Sequence, residues 1–269
     1  MMTLGIDVGG STTKIVGIRD GEILSPQFIT GADPVSSLFG AFGKYLYDNG
    51  IDLSEIDCVR LTGVGAAYVS GPLYGLPVER VDEFRANAYG ARYRSGLRDM
   101  VVVSMGTGTS FVRVSGDDFM HLGGLAIGGG TFAGLSRIIF RISDIDKALL
   151  MAEEGDASRV DLLVSDISRG DIPGLPSEVT ASNFGKADAA SDPRDVAAGI
   201  INMILQTIGG ASNFIARNTG IKDFVLIGNV PLFPQCRRVF GRIGELYGLE
   251  FHIPDYTEYR TAIGAALCR

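Results

Sequence analysis

The chain has 269 residues, 46% of them hydrophobic and 20% charged, which predicts a folded globular protein with a large core. Its net charge of −7 and its isoelectric point near 4.9 argue against nucleic acid or an anionic membrane as a partner. The sequence has three scattered cysteines and no signal-like or long apolar stretch, which predicts a soluble, cytoplasmic protein. Because it has only two histidines, we expect its acid or base chemistry to depend on carboxylates.

The first part of the chain predicts a small sheet with helices. Asp33 and Pro34 provide an N-cap and a first-turn proline for a helix that ends at Gly50. The predicted elements are strands at 2–8, 13–19 and 22–29, a helix at 34–50, a strand at 58–62, an extended segment at 77–81 and a helix at 83–97.

The second part begins with another hairpin. Its predicted elements are strands within 101–114, a glycine-rich stretch at 123–134 that leads into a helix at 131–140, helices at 143–154 and 195–218, a strand at 224–227 and a small-residue helix at 261–267. We therefore expect two lobes, residues 1–98 and residues 99–269.

Two segments share one design, in which an apolar strand leads through a Gly/Thr turn into a second strand. They are LGIDVGGSTTKIVGI at 4–18 and VVVSMGTGTSFVRV at 101–114. A strand after the glycines excludes a Walker loop or a dinucleotide fingerprint, because both need a helix there. Two such turns predict anion nests that hold a polyphosphate between two lobes, which indicates an ATP-using enzyme. The repeated strand, turn and strand pattern resembles that of the two-lobed, actin-like α/β fold.

Each turn, taken alone, is more typical of a plain β-hairpin than of a phosphate site. Asp7 before the glycines and Lys14 after them favour the phosphate interpretation. We expect Asp7 to hold Mg²⁺ through water, and Lys14 or the hydroxyls of Thr12 and Thr13 to contact phosphate oxygens. The turn of Gly128–Gly130 predicts amides that face a phosphate or ribose, since its apolar neighbours do not fit a flexible linker.

The sequence resembles the type II pantothenate kinases along almost its whole length. The resemblance depends on these segments, in order: GIDVGGSTTK (5–14), EFRANA (83–88), MGTGTS (105–110), GGLAIGGGTF (123–132), GDASRVDLLVSDI (155–167), TASNFGK (180–186), VLIGN (225–229) and AIGAAL (262–267). It implies a two-lobed actin-like ATPase fold, ATP and Mg²⁺ as cofactors, a homodimer, and phosphorylation of the pantothenate 4'-hydroxyl at the start of coenzyme A biosynthesis. The helix at 195–218 and the C-terminal segment are expected at the dimer contact.

The resemblance also implies site residues. Glu83 corresponds to the general base, although its place at a helix start is equally typical of a cap. The expected nucleotide-binding residues are Asp7, Val8, Gly9, Gly10, Ser11, Thr12, Thr13, Lys14, Gly106, Thr107, Gly108, Gly128, Gly129, Gly130, Thr131, Phe132, Gly228 and Asn229. The expected substrate residues are Thr107, His121, Arg113, Thr180 and Asn183.

One position departs from the family pattern. His121 occupies the place of an arginine that contacts the pantothenate side, and losing a charge-assisted hydrogen bond weakens binding by roughly tenfold to a hundredfold. His121 itself, Arg113 or Arg85 are expected to compensate, unless His121 is only a surface residue. The alternative functions are a kinase for pantetheine or another small alcohol, a sugar kinase, and an ATPase partner protein of the same fold. The last of these would need cysteines that hold an iron–sulfur cluster, and Cys58, Cys236 and Cys268 form no such motif.

Overall fold

A computed structural model describes residues 2–10, 12–31, 33–170 and 172–268. The first sheet contains five strands in the order β3-β2-β1-β4-β5. They are β1 (Met2–Val8), β2 (Thr12–Arg19), β3 (Glu22–Thr30), β4 (Ile56–Thr62) and β5 (Val78–Arg80). β1, β2 and β3 form an antiparallel meander, and β4 and β5 then run parallel to β1.

The second sheet repeats this topology. Its five strands follow the order β8-β7-β6-β11-β12, again an antiparallel meander flanked by two parallel strands. They are β6 (Asp99–Met105), β7 (Thr109–Ser115), β8 (Asp118–Leu125), β11 (Asp223–Ile227) and β12 (Glu250–His252). The repeated hairpin of the sequence therefore marks a repeated sheet.

Eight α-helices surround the two sheets in the described residues. They are α1 (Pro34–Asn49), α2 (Glu83–Arg92), α3 (Gly129–Leu135), α4 (Ile145–Glu153), α5 (Val164–Ile167), α6 (Pro193–Thr219), α7 (Cys236–Tyr247) and α8 (Arg260–Leu267). A π-helical turn at Ser136–Phe140 extends α3, and two short strands, β9 (Leu162–Leu163) and β10 (Thr180–Ser182), form a separate ribbon. None of the helices in the described ranges is long and apolar enough to cross a bilayer.

Helix ends follow the signals in the sequence, with one exception. α1 begins with the Asp33 carboxylate accepting from Ser36 N at 2.7 Å and ends at Gly50, whose φ is 60°. α2 is shorter than predicted, because the chain leaves the helix after Arg92 and turns through Arg94 at φ 57° and Gly96 at φ 71°. The predicted end at Leu97 is therefore wrong.

The core is layered. α1 covers the outer face of the first sheet, and α6 and α7 cover the outer face of the second. Two helices fill the space between the sheets: α8 packs on the first sheet, and α2 packs on the second. α2 thus packs on the sheet formed by the second half of the chain, and α8 packs on the sheet formed by the first half. The predicted boundary between residues 98 and 99 separates the strands of the two sheets. As a division into two lobes, that boundary stays a prediction.

The helices α2 and α8 approach each other closely. A Cβ on Gly264 would lie 1.7 Å from Ala86 O, and a Cβ on Gly90 would lie 1.9 Å from Arg260 O. The small residues of the C-terminal helix therefore meet α2 and β1 of the same chain. The expectation that this segment contributes to a dimer contact is wrong, because residues 260–266 are buried within this chain.

Candidate active site

The first glycine turn is the tip of a hairpin, as predicted. Asp7 pairs with Lys14 and Val8 with Thr13 across β1 and β2, and Gly9 N donates to Thr12 O at 2.9 Å. The tip residue Gly10 is exposed, so its backbone is accessible to a ligand. Ser11, another expected nucleotide ligand, lies outside the described residues.

The second glycine turn is also a hairpin tip and meets two further glycine segments. Gly129 N donates to Gly106 O at 2.8 Å, and Gly130 N donates to Thr107 O at 3.0 Å. A Cβ on Gly228 would lie 2.5 Å from Met105 O, where φ is 100°, so only glycine fits. The segments at 106–108, 128–130 and 228 therefore converge on one place.

These contacts correct one expectation about the glycine-rich loop. The amides of Gly129 and Gly130 donate to the hairpin, those of Thr131 and Phe132 donate to Gly128 O, and Gly128 N donates to Thr131 Oγ1 at 3.1 Å. Their hydrogen atoms are not directed at a ligand. The loop instead supports the second hairpin, whose exposed tip residue is Thr107.

Lys14 connects the two halves of the site. Its Nζ donates to Asn229 Oδ1 at 2.9 Å, and the residue is only 9% exposed. Burial lowers the pKa of the Lys14 ammonium, although the charges of Asp7 and Glu258 oppose the shift. The first hairpin and the turn after β11 thus face each other across one cleft, with a buried cation between them.

Two carboxylates lie at the edge of the first sheet in this cleft. Burial raises the pKa of Asp7, and the charge of Lys14 opposes the shift. Burial also raises the pKa of Glu83, and the negative charges of Asp7 and Asp82 raise it further. Asp82, not Glu83, caps α2 by accepting from Arg85 N at 2.9 Å. The Glu83 carboxylate is therefore not needed as a cap.

The surroundings of Asp7 fit a magnesium ion. No hydrogen bond to its carboxylate forms within the part of the chain that the structure describes, and the group is only partly buried. No cluster of three or more His, Cys, Asp or Glu side chains that could hold a metal occurs in the same residues. Mg²⁺ commonly binds through one or two carboxylates, several waters and substrate phosphates, so a single carboxylate beside a phosphate site suits it.

His121 lies beside α2, the helix that begins at Glu83. Its ring stacks on Phe84, with centroids 3.9 Å apart and planes 12° apart, and Phe84 directly follows Glu83. His121 pairs with Val112, whose side chain packs on the face of the sheet that α2 covers. Arg113 is the next residue and points to the opposite face. Its partner Val101 packs there in the core with α6. The structure does not bring Arg113 to His121, so the expectation that Arg113 compensates there is wrong.

Thr180 and Asn183 form a different cluster. The carboxylate of the fully buried Asp161 accepts from Asn183 Nδ2 at 3.3 Å and from Asn202 Nδ2 at 2.7 Å. Asn202 also donates to Thr180 Oγ1 at 3.2 Å, which joins Thr180 to this cluster. Thr180 and Asp161 line a cavity of about 1040 Å³ between the β9–β10 ribbon, α6 and α7. Asp7, Glu83 and His121 do not line this cavity. The structure therefore does not place Thr180 and Asn183 beside the carboxylates of Asp7 and Glu83.

Sequence reasoning missed Asp82, Phe84 and Thr62. Thr62 ends β4 beside Asp7, and the only sequence signal for it is a strand that ends in a polar residue followed by glycine. Phe84 could have been found from its position next to Glu83 in a helix that begins at the sheet edge.

The comparison with known families matches the Fumble model over residues 42–231. The chain belongs to the Fumble family. Its curated relatives include type II pantothenate kinases of Bacillus cereus strain G9842, 26% identical over 96% of this chain and 90% of the relative, and of Staphylococcus aureus strain USA300, 27% identical over 85% and 84%. The resemblance found in the sequence is therefore confirmed.

Solved structures similar to this Fumble-family chain share its fold. The activator of the 2-hydroxyisocaproyl-CoA dehydratase from Clostridium difficile with bound ADPNP has a TM-score of 0.70 at 18% identity and covers 99% of this chain and 93% of its own. A ROK family glucokinase from Streptomyces griseus with glucose and AMPPNP has a TM-score of 0.59 at 16% identity, with 99% and 98% covered. The predicted two-lobed, actin-like α/β fold is confirmed.

Proposed function

We propose that this Fumble-family chain, a small-molecule kinase, uses ATP and Mg²⁺ to phosphorylate the 4'-hydroxyl of pantothenate, the first step of coenzyme A biosynthesis. The observation that carries the proposal is the pair of half-buried carboxylates, Asp7 and Glu83, beside two glycine hairpins that share one cleft. The family match and the pantothenate kinases among its relatives support this substrate class.

Each group has a role in this proposal. The exposed hairpin tips at Gly10 and Thr107 hold the phosphates from two sides, and Lys14 moves from Asn229 to a phosphate oxygen. Asp7 would hold Mg²⁺, which supplies charge neutralisation between the phosphates. Glu83 accepts the proton of the acceptor hydroxyl as its oxygen bonds to phosphorus, and a raised pKa makes that carboxylate a stronger base.

The acceptor lies between Glu83 and His121 in this proposal. The His121 ring is held flat against Phe84, one residue from the base, so a bound alcohol at Glu83 has its remainder within reach of the imidazole. Pantothenate ends in a carboxylate, which a protonated imidazole binds with a charge-assisted hydrogen bond. An imidazole serves this end less strongly than a guanidinium, which keeps pantetheine as a second candidate acceptor.

The test compares acceptors and histidines in one experiment. Pantothenate, pantetheine and hexoses are offered with ATP and Mg²⁺ to the wild type, to His121→Arg and to His252→Arg. His252 is the chain's other histidine; its Nε2 lies 2.8 Å from Asp223 at the far edge of the second sheet, so it is a matched control.

We expect pantothenate to be the best acceptor and His121→Arg to lower its KM by about tenfold, with little change for neutral pantetheine. His252→Arg should resemble the wild type with every acceptor. A higher kcat/KM for a hexose than for either pantoyl compound would contradict the proposed function. An equal response of pantothenate and pantetheine to His121→Arg would show that His121 does not bind the carboxylate.

A further inference from the structure

The buried hydroxyl of Thr62 lies at the edge of the first sheet that also carries Asp7. Thr62 is 1% exposed, and its Oγ1 has no hydrogen-bond partner within residues 2–10, 12–31, 33–170 and 172–268. Proteins leave few buried polar groups without a partner, because the group loses its bonds to water and gains none in return. Such a group therefore indicates a bound water or ligand.

The register of the sheet places this hydroxyl next to Asp7. Thr62 and Asp7 are paired residues at the carboxyl ends of the parallel strands β4 and β1, so both side chains leave the same face. Their neighbours Leu61 and Ile6 face the α1 core, and the pair therefore faces the other way, towards α8 and α2. β4 also lies between β1 and β5, the strand that leads into Glu83.

The residue after Thr62 is shaped around the Asp7 carboxylate. A Cβ on Gly63 would lie 2.5 Å from Asp7 Oδ1 and 2.6 Å from Val8 O, and the residue has a φ of 87°. Both the contact and the backbone conformation require glycine. The end of β4 thus makes room for the carboxylate and places the Thr62 hydroxyl at its side.

We propose that Thr62 is a positioning residue for the metal: its hydroxyl binds a water of the Mg²⁺ ion that Asp7 carries. Mg²⁺ gives up its waters reluctantly, so a protein holds it largely through those waters. A threonine hydroxyl accepts a hydrogen bond from such a water and can donate one in turn. The inference rests on the proposed function only in requiring a Mg²⁺–nucleotide complex at this cleft.

The experiment measures binding of a non-hydrolysable ATP analogue by calorimetry, as Mg²⁺ is titrated from a metal-free start, for the wild type, Thr62→Val and Thr62→Ser. Valine has the shape of threonine without the hydroxyl, and serine keeps the hydroxyl. We expect Thr62→Val to bind the metal-free analogue normally and to need about tenfold more Mg²⁺ for half-saturation. Thr62→Ser should stay within about twofold of the wild type.

Thermal unfolding without metal gives a second readout. A methyl in place of an unpartnered buried hydroxyl should leave the melting temperature of Thr62→Val equal to or above that of the wild type. A role in the fold alone would lower it. The inference thus requires a variant that is no less stable and yet binds the metal more weakly.

Three results for Thr62→Val would overturn the inference. The first is a Mg²⁺ requirement within about twofold of the wild type. The second is a loss of metal-free analogue binding together with a lower melting temperature, and the third is a rise in the KM for the acceptor with no change in the Mg²⁺ requirement. A wild type whose analogue binding ignores Mg²⁺ would overturn it as well. The proposed function is tested separately by phosphate transfer. A wild type that binds Mg²⁺ and nucleotide through Thr62 but phosphorylates no pantoyl compound would leave this inference standing and remove the other.

Discussion

At the scale of single residues, the site depends on two carboxylates whose pKa values are shifted by different neighbours. Asp7 and Glu83 both have raised pKa values because each is removed from water, and the charge of Asp7 adds to the shift on Glu83. Lys14 opposes the shift on Asp7 alone. The Lys14 ammonium therefore offsets part of the effect of burial on the pKa of Asp7, whereas the pKa of Glu83 is raised by burial and by its acidic neighbours together.

Glu83→Gln removes the proposed base with little change in shape. We expect analogue binding to persist and kcat to fall by about a hundredfold to ten-thousandfold. The matched control is Glu79→Gln, since Glu79 is an exposed carboxylate on β5 whose partner is Arg60 at 2.8 Å. Near-normal turnover in Glu83→Gln would reject the role of Glu83.

The dependence of kcat on pH gives a second test of the role of Glu83. A base must be ionised, so wild-type kcat should decline as pH falls through the raised pKa of Glu83, earlier than for an ordinary glutamate. The residual activity of Glu83→Gln should lack this decline. Glu79→Gln should keep it.

At the scale of elements, the position of Glu83 depends on how α8 packs against α2. Arg260, at the start of α8, donates to Gly90 O at 3.0 Å and to Tyr93 O at 2.6 Å, and Thr261 Oγ1 donates to Asn87 Oδ1 at 2.8 Å. The end of the chain thus fixes the helix that begins with the proposed base.

Gly264→Ala tests this coupling. The added Cβ would lie 1.7 Å from Ala86 O, so the helices must separate, and we expect a loss of about 1–3 kcal/mol in the free energy of unfolding together with a lower kcat. The control is Gly241→Ala in α7, where an added Cβ meets nothing within 4 Å. Alanine should there stabilise the helix by about 0.5–1 kcal/mol. Denaturant unfolding and steady-state rates measure both variants, and equal stability of the two would contradict the packing argument.

The same helix shows where prediction from sequence ends. The small residues Gly264 and Ala266 correctly predict a close approach, but the sequence does not say to what, and the approach is to α2 and β1 rather than to another subunit. Most strands of the two sheets and both hairpins were predictable because alternation and glycine turns are local, although β8 and β12 were not predicted. The β9–β10 ribbon and Asp161 were not, since that buried carboxylate is satisfied by Asn183 and Asn202 from distant segments. Thr62 was missed for a similar reason, because its importance comes from register with Asp7.

At the scale of the whole molecule, the two similar sheets enclose one cleft and leave α6 on the outside of the second sheet. One side of this 27-residue helix is buried against the sheet. The other carries Phe214, which is 68% exposed, and the neighbouring helix α4 carries the exposed Leu150. Large apolar side chains on an outer helix are typical of a contact surface.

We therefore expect a homodimer through α6, as the family resemblance also implies, and not through α8. Light scattering at micromolar concentration should give twice the chain mass of 28.5 kDa. Phe214→Asp should shift the protein to monomers, because two-fold symmetry brings the change into the contact from both sides and buries two like charges there. Phe28→Asp is the control, since Phe28 is 58% exposed on β3, the edge strand of the first sheet, and its change should leave the dimer intact. A wild type that stays monomeric, or a Phe214→Asp variant that dimerises as well as Phe28→Asp, would show that α6 is not the interface.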